Sequence, residues 1–231
     1  MAKPKGLNAQ RALVTGGTSG IGRATAEALA REGAHVLISG RSEVRGVEVV
    51  AAIKAGGGEA EFVHANLESP DDVRALAQRA AEVDILVNNA GVFPVGATHE
   101  LSEATFDETF AVNVKAPFLL TAAIAPKMVA RGGGAIINVT TMVAEFGIAG
   151  LSAYGASKAA VALLTKAWAA EYGPRACGSM PCRPARPVHR VRTRWARGSR
   201  PSSRRFRLAV PPIPKRSPRR SSSSPPAGRA T

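Results

Sequence analysis

Short apolar runs alternate with helical patterns along residues 11–172. The apolar runs predict five strands, at residues 12–14, 35–39, 60–64, 84–87 and 135–139. Segments with apolar residues at helical spacing lie between and after them, at residues 23–32, 43–55, from 70 onward, 103–130 and 154–172. This alternation is typical of βαβ units, so the pattern predicts an α/β fold built on a parallel sheet.

Right-handed crossovers between five such strands give a doubly wound, Rossmann-like sheet. Ligands bind such sheets outside the carboxyl ends of the strands. Three stretches that are rich in glycine or polar residues fall there, at residues 16–22, 88–91 and 140–141. We therefore expect them to form one site.

The first of these stretches reads T-G-G-T-S-G-I-G from Thr15 to Gly22. Gly16 permits a tight turn, while Gly20 and Gly22 let a pyrophosphate approach the backbone and let the helix pack closely. The start of the helix then offers N–H groups to phosphate. The spacing differs from the commoner G-x-G-x-x-G, and an ordinary strand-to-helix turn is the alternative interpretation.

Tyr154 and Lys158 stand four residues apart at the start of a helix and so share one face. A nearby ammonium favours the phenolate and is expected to lower the tyrosine pKa. The pair could then exchange a proton with a carbonyl or alcohol oxygen near neutral pH. The spacing alone is common on surface helices, so it needs the other motifs beside it.

Five motifs in this order and spacing resemble the short-chain dehydrogenase/reductases, in particular members similar to 3-oxoacyl-ACP reductases. They are Thr15–Gly22, Asn88–Gly91, Asn113, Thr140–Thr141 and Tyr154–Lys158, and the resemblance covers about residues 8–174. It implies an NAD(P)-dependent oxidoreductase that moves a hydride between nicotinamide and a carbonyl or secondary alcohol.

The resemblance also implies catalytic roles. Tyr154 would be the general acid or base, and Lys158 would hold the nicotinamide ribose. Thr141 stands where the family has a serine, with Thr140 as the next candidate, and both could instead be ordinary strand residues. Asn113 resembles the asparagine that anchors a proton-relay water.

The implied cofactor contacts extend from the glycine turn to the catalytic helix: Gly16, Thr18, Ser19, Gly20, Ile21, Gly22, Arg41, Asn66, Leu67, Asn89, Ala90, Gly91, Tyr154 and Lys158. Gly40 stands where an acid would bind the adenosine ribose, and Arg41 follows it. Because Arg41 could pair with a 2′-phosphate, NADP is favoured over NAD. A solvated loop arginine is the alternative. Asn66 replaces the usual aspartate near the adenine, and the histidines lack the spacing of metal ligands.

Charge divides the chain near residue 175. Residues 1–174 hold 15 Lys+Arg and all 17 Asp+Glu, whereas residues 175–231 hold 16 Lys+Arg, no acid and 10 of the 16 prolines. The sequence therefore predicts a truncated dinucleotide-binding domain over residues 1–174 and a disordered basic tail over 175–231.

The tail resembles an out-of-frame translation. The family continues with a segment of the type G-V-R-V-N-A-V-S-P-G, and back-translation from the third base of the Arg175 codon permits that whole segment in register. The family's last two strands would then be absent and the strand at 135–139 would be an unpaired apolar edge. We expect poor solubility and doubtful activity of this chain.

Other interpretations stay open. The chain could be an inactive cofactor-binding protein, or the basic tail could bind nucleic acid, although no specific recognition is expected. The N-terminus lacks the pattern of a signal peptide and no membrane span is expected, so a cytoplasmic protein is predicted. The expected partners are a small carbonyl or alcohol substrate and, through the two long helices, further copies of an intact chain. Residues 93–95 and 142–148 suggest an apolar substrate wall that fits ketoacyl chains, steroids and sugars alike.

Overall fold

The computed structural model describes residues 6–176, with side chains through residue 173. The strands of this part are β1 (Arg11–Thr15), β2 (His35–Gly40), β3 (Glu59–His64), β4 (Ile85–Asn88) and β5 (Ala135–Asn138). The α-helices are α1 (Gly20–Arg31), α2 (Glu43–Ala55), α3 (Pro70–Arg79), α4 (Glu103–Phe110), α5 (Ala116–Ala130) and α6 (Ser152–Ala176). The predictions made for the basic tail lie almost entirely outside the described residues.

The sheet has the order β3-β2-β1-β4-β5, with every pairing parallel. The chain moves outward from β1 through β2 to β3, then crosses back and places β4 on the other side of β1. This confirms the predicted doubly wound sheet. The point where the strand order reverses lies between β1 and β4, so the loops after these two strands are neighbours at the carboxyl edge.

Helices cover both faces of the sheet and form two apolar cores. Because successive strand side chains point to opposite faces, Leu13 and Leu37 join one core while Val14 and Ile38 join the other. All four are fully buried, and each such side chain contributes about 2 kcal/mol through the hydrophobic effect. The central strands are thus held from above and below, which fixes the edge that carries the candidate site.

The helix predicted over residues 103–130 contains a five-residue π-helical segment, Ala111–Lys115, between α4 and α5. Here the N–H of Ala116 donates to the carbonyl of Ala111, one residue further back than in an α-helix. Pro117 has no N–H, so the carbonyl of Asn113 cannot receive an α-helical hydrogen bond from it. Asn113 therefore lies in a wider turn that interrupts the regular α-helix between α4 and α5.

By length and composition alone, the stretch Glu103–Ala130 is apolar enough to cross a membrane. Half of its most apolar 18-residue window is buried inside the protein, and α5 packs against α3 and α6. This packing is typical of a core helix.

A chain of side-chain hydrogen bonds ties β4, β5 and α6 together. Asn88 Nδ2 donates to Asn138 Oδ1 at 2.8 Å, and Asn138 Nδ2 donates to Thr165 Oγ1 at 2.9 Å. Thr165 in turn donates to the carbonyl of Val161 at 2.7 Å. Within the described residues β5 pairs on one side only, with β4, and its Ile137 is 46% exposed. The side-chain bonds therefore supply support that a second neighbouring strand would otherwise give.

We expect Asn138→Ala to lower the free energy of unfolding by about 1–3 kcal/mol, because Asn88 is buried and its amide would lose its acceptor. Chemical denaturation of the full chain measures the effect. Asn8→Ala, the same change at an exposed residue, is the control and should stay within about 0.5 kcal/mol of wild type. Equal effects of the two substitutions would contradict the supporting role of Asn138.

Candidate functional site

The glycine turn after β1 leaves open space at one glycine and none at another. Gly20 has φ +52°, and a Cβ built on it would meet nothing within 4 Å. A Cβ on Gly22 would instead collide with the carbonyl oxygen of Gly16 and the side-chain amide of Asn89. Ser19, the N-cap of α1, makes no side-chain hydrogen bond to the helix. The first turn of α1 is therefore approachable and lacks a side-chain cap, as an anion site requires.

Thr15 and Asn89 fasten this turn to the end of β4. The hydroxyl of Thr15 donates to the Val87 carbonyl at 3.2 Å and accepts the N–H groups of Asn89 and Ala90 at 3.0 and 3.1 Å. Asn89 Nδ2 donates back to the carbonyls of Thr15 and Gly16, at 2.9 and 3.2 Å. Asn89 was predicted as a cofactor contact, but its side-chain N–H groups hold the turn in place. Thr15 was missed as a site residue although it opens the motif.

Asn113, in the π-helical segment, connects the loop after β4 to α6. Its Oδ1 accepts the N–H of Val92 at 2.8 Å, while Nδ2 donates to the Val92 carbonyl and to Ser157 Oγ, both at 3.0 Å. Ser157 donates in turn to the carbonyl of Tyr154 at 2.7 Å. Both side-chain N–H groups of Asn113 are therefore occupied. Ser157 was not predicted, and its place directly before Lys158 was the available signal.

Lys158 is buried, with 5% of its surface exposed. Its Nζ donates to the carbonyl of Val139 at 3.0 Å. A Cβ on Gly91 would lie 3.4 Å from that Nζ and 3.1 Å from Asn113 Oδ1, so these predicted residues do converge. Burial disfavours the charged amine and lowers the pKa of Lys158 to about 8.

Tyr154 lies one helical turn before Lys158 and is half-buried. Its ring contacts Phe93 edge to face, with centroids 4.5 Å apart and planes at 79°. Burial raises the pKa of Tyr154, because the phenolate would lose solvation. The prediction that Lys158 lowers the tyrosine pKa is therefore wrong for this structure, where the lysine ammonium is bonded to the Val139 carbonyl instead.

Thr141 caps a single turn of 3₁₀-helix, Met142–Ala144, and its hydroxyl accepts the N–H of Val143 at 3.4 Å. Thr140 and Thr141 are both half-buried. A Cβ on Gly155 would lie 3.1 Å from the Val143 carbonyl, so this turn packs against the start of α6 beside Tyr154. The turn that Thr141 caps thus lies beside Tyr154, and the long bond to Val143 leaves the Thr141 hydroxyl weakly held.

The residues predicted around the adenosine have divergent surroundings. Ile21 is 42% exposed, whereas Leu67 is 9% exposed and packs in a core, so the side chain of Leu67 is unavailable to a cofactor. Asn66 Oδ1 accepts the N–H of Glu68 at 3.2 Å, which makes it part of a local turn. A Cβ on Gly40 would lie 2.8 Å from the methyl group of Thr18. The methyl group of Thr18 therefore occupies the space that the side chain of an acid at position 40 would need.

Arg41 lies opposite Glu68, with Nη1 and Oε1 3.6 Å apart and both side chains exposed. Glu68 was not predicted as a site residue. Among the described residues, no group of three or more His, Cys, Asp or Glu side chains could hold a metal ion.

The buried Lys158 makes stability depend on pH. Its pKa is lower in the folded state, so the unfolded chain binds more protons between about pH 8 and 10.5 and stability rises with pH there. We expect the unfolding free energy of wild type, relative to Lys158→Met, to rise by about 2 kcal/mol from pH 7.5 to 9.5. Denaturation of both proteins across this pH range measures the difference. Parallel pH profiles would contradict a lowered pKa of the buried Lys158.

The chain matches the family described as short chain dehydrogenase over residues 10–184. It is 43% identical over 162 residues to an uncharacterised oxidoreductase of Thermotoga maritima, covering 69% of this chain and 64% of that relative. The chain spans between 60% and 64% of the curated relatives named first among its matches.

Two solved structures share the fold. One is a provisionally assigned betaketoacyl-ACP reductase, with TM-score 0.70, 49% identity and coverage of 73% of this chain and 70% of that one. The other is a metagenomic short-chain oxidoreductase in complex with NADP, with TM-score 0.71, 39% identity and coverage of 73% and 79%. With the glycine turn, Asn113, Tyr154 and Lys158 gathered at one edge of a doubly wound sheet, the chain belongs to the short-chain dehydrogenase family.

Proposed function

We propose that residues 1–174 form the dinucleotide-binding and catalytic domain of an NAD(P)-dependent oxidoreductase that interconverts a carbonyl and a secondary alcohol. The convergence of Gly91, Asn113 and Lys158 beside the glycine turn carries this proposal. Tyr154 stands one helical turn away on the same face of α6. A cleft edge with a phenol, a buried ammonium and a phosphate-accepting turn fits this reaction class.

The residues present fit a nicotinamide dinucleotide. The uncapped first turn of α1 and the open space at Gly20 suit a pyrophosphate. Lys158 Nζ has three donors, of which the Val139 carbonyl takes one, so two remain for ribose hydroxyls. The nicotinamide, when bound, supplies or accepts the hydride.

Tyr154 is the proposed proton donor to a substrate carbonyl. Burial raises the pKa of Tyr154 and so favours the protonated phenol, the form that donates a proton in ketone reduction. The half-buried Thr141 hydroxyl, on the turn that packs beside Tyr154, would orient the substrate oxygen. Phe93 holds the tyrosine ring and offers an exposed apolar surface to the substrate.

Proton resupply is assigned to the backbone of Asn113. Its side-chain N–H groups are bonded to Val92 and Ser157, so the side chain has no donor left for a relay water. Its carbonyl lacks an α-helical partner because Pro117 has no N–H. That carbonyl is the group we propose to hold the water.

NADP is the proposed cofactor, with NAD as the alternative. Gly40 has no carboxylate that would repel a 2′-phosphate, and the Thr18 methyl group lies beside Gly40. Arg41 is exposed, and its guanidinium would pair with the phosphate. The proposed partners are a small carbonyl or alcohol compound and, for an intact chain only, further copies of itself, and a cytoplasmic location stays a prediction.

An inactive cofactor-binding protein is the second candidate. Thr141, which stands where the family has a serine, favours it. Cofactor binding without turnover of any carbonyl compound would support it, whereas turnover would exclude it.

We expect Tyr154→Phe to reduce NADPH-dependent ketone reduction by about 10²–10⁴-fold while cofactor affinity stays within about threefold, because only the proton donor is lost. Initial rates over a panel of aliphatic, cyclic and acyl-thioester ketones, together with NADPH fluorescence titration, measure the two quantities.

Tyr172→Phe is the matched control, since it removes the same hydroxyl further along α6. It should retain turnover. Equal loss in the two variants would point to damage of the helix, and full activity of Tyr154→Phe would remove the proposed mechanism.

A further inference from the structure

The loops after β2 and β3 bring an arginine and a glutamate together at the adenosine end of the candidate site. These strands are parallel neighbours, with Gly40 paired to His64, and the N–H of Ala65 donates to the Gly40 carbonyl at 3.1 Å. Arg41 directly follows β2, and Glu68 lies a few residues beyond β3. Their side chains approach to 3.6 Å between Nη1 and Oε1.

Glu68 is presented by an ordered turn. Its N–H donates to Asn66 Oδ1 at 3.2 Å, and the N–H of Asn66 donates to Asp72 Oδ2 at 2.8 Å. Ser69 caps α3 by accepting the N–H of Asp72, and Leu67 anchors the turn in a core. The carboxylate therefore starts from a fixed backbone position opposite Arg41, which lowers the entropy lost on pairing.

The loop after β2 brings no carboxylate of its own to Gly40. A Cβ there would lie 2.8 Å from the Thr18 methyl group, so an acid at this position would first have to displace Thr18. Within the described residues, the ion pair recorded for Arg41 is the one with Glu68. Arg41 and Glu68 are therefore two paired charges next to the proposed phosphate position.

We infer that Glu68 is the counter-ion that a 2′-phosphate must displace from Arg41, and that it thereby restrains the preference for NADP over NAD. The inference rests on the proposed function. A phosphate and a carboxylate compete for the same guanidinium, whereas adenosine with a free 2′-hydroxyl leaves the pair intact. Both side chains are exposed, so the competition is worth about two- to fivefold in affinity.

The test measures NADPH and NADH dissociation constants of the full chain by fluorescence titration at one fixed ionic strength. We expect Glu68→Gln to tighten NADPH binding about two- to fivefold while NADH binding changes less than about 1.5-fold. Glu48→Gln is the control, because it makes the same charge change on an exposed position of α2. It should leave the ratio of the two dissociation constants unchanged.

A second pair of variants separates the counter-ion from simple repulsion. In an Arg41→Gln background, the gain from Glu68→Gln should fall below about 1.5-fold, because no guanidinium remains to be released. Three results would each overturn the inference while leaving the proposed function intact. They are a full gain in NADPH affinity from Glu68→Gln in the Arg41→Gln background, an equal gain from Glu48→Gln, and no gain from Glu68→Gln in the wild-type background. A wild-type chain that binds neither nucleotide would overturn the proposed function and this inference with it.

Discussion

The hydroxyl of Thr15 is the small group on which the site depends. It accepts hydrogen bonds from two N–H groups of the loop after β4 and donates one to the carbonyl of Val87 within that strand. In the sequence, β1 and β4 are separated by β2, β3 and three helices, and they meet only through parallel pairing in the sheet. At the carboxyl ends of these strands, the Thr15 hydroxyl adds hydrogen bonds that hold the glycine turn against the loop after β4.

Side-chain hydrogen bonds also connect the loop after β4 to α6. Asn113 joins the backbone of Val92 to Ser157, and Ser157 joins the backbone of Tyr154. The side-chain N–H groups of Asn113 and the hydroxyl proton of Ser157 are all used in these bonds. These bonds hold the start of α6 in place without using the phenol of Tyr154.

Sequence reasoning succeeded where the signal was local. The bounds of α2 match residue for residue, because Ser42 caps its start and Gly56 follows its end. Gly91, Asn113 and Lys158 come together as expected, because the loops that follow parallel strands meet at one edge of the sheet. The π-helical segment was missed because a wider turn inside a helical pattern leaves little trace beyond Pro117. The pKa of Tyr154 was assigned the wrong direction because a four-residue spacing says nothing about burial or about which carbonyl the lysine meets.

The carbonyl that receives the Lys158 ammonium belongs to Val139, the residue directly after β5. Strand β5 has one neighbour among the described residues, so fraying of this edge would move the acceptor of the lysine while β1 to β3 stay packed. Heat or denaturant would then displace the Lys158 ammonium before the bulk of the sheet unfolds. The position of this lysine would report the opening of one strand, and the global transition would follow at harsher conditions.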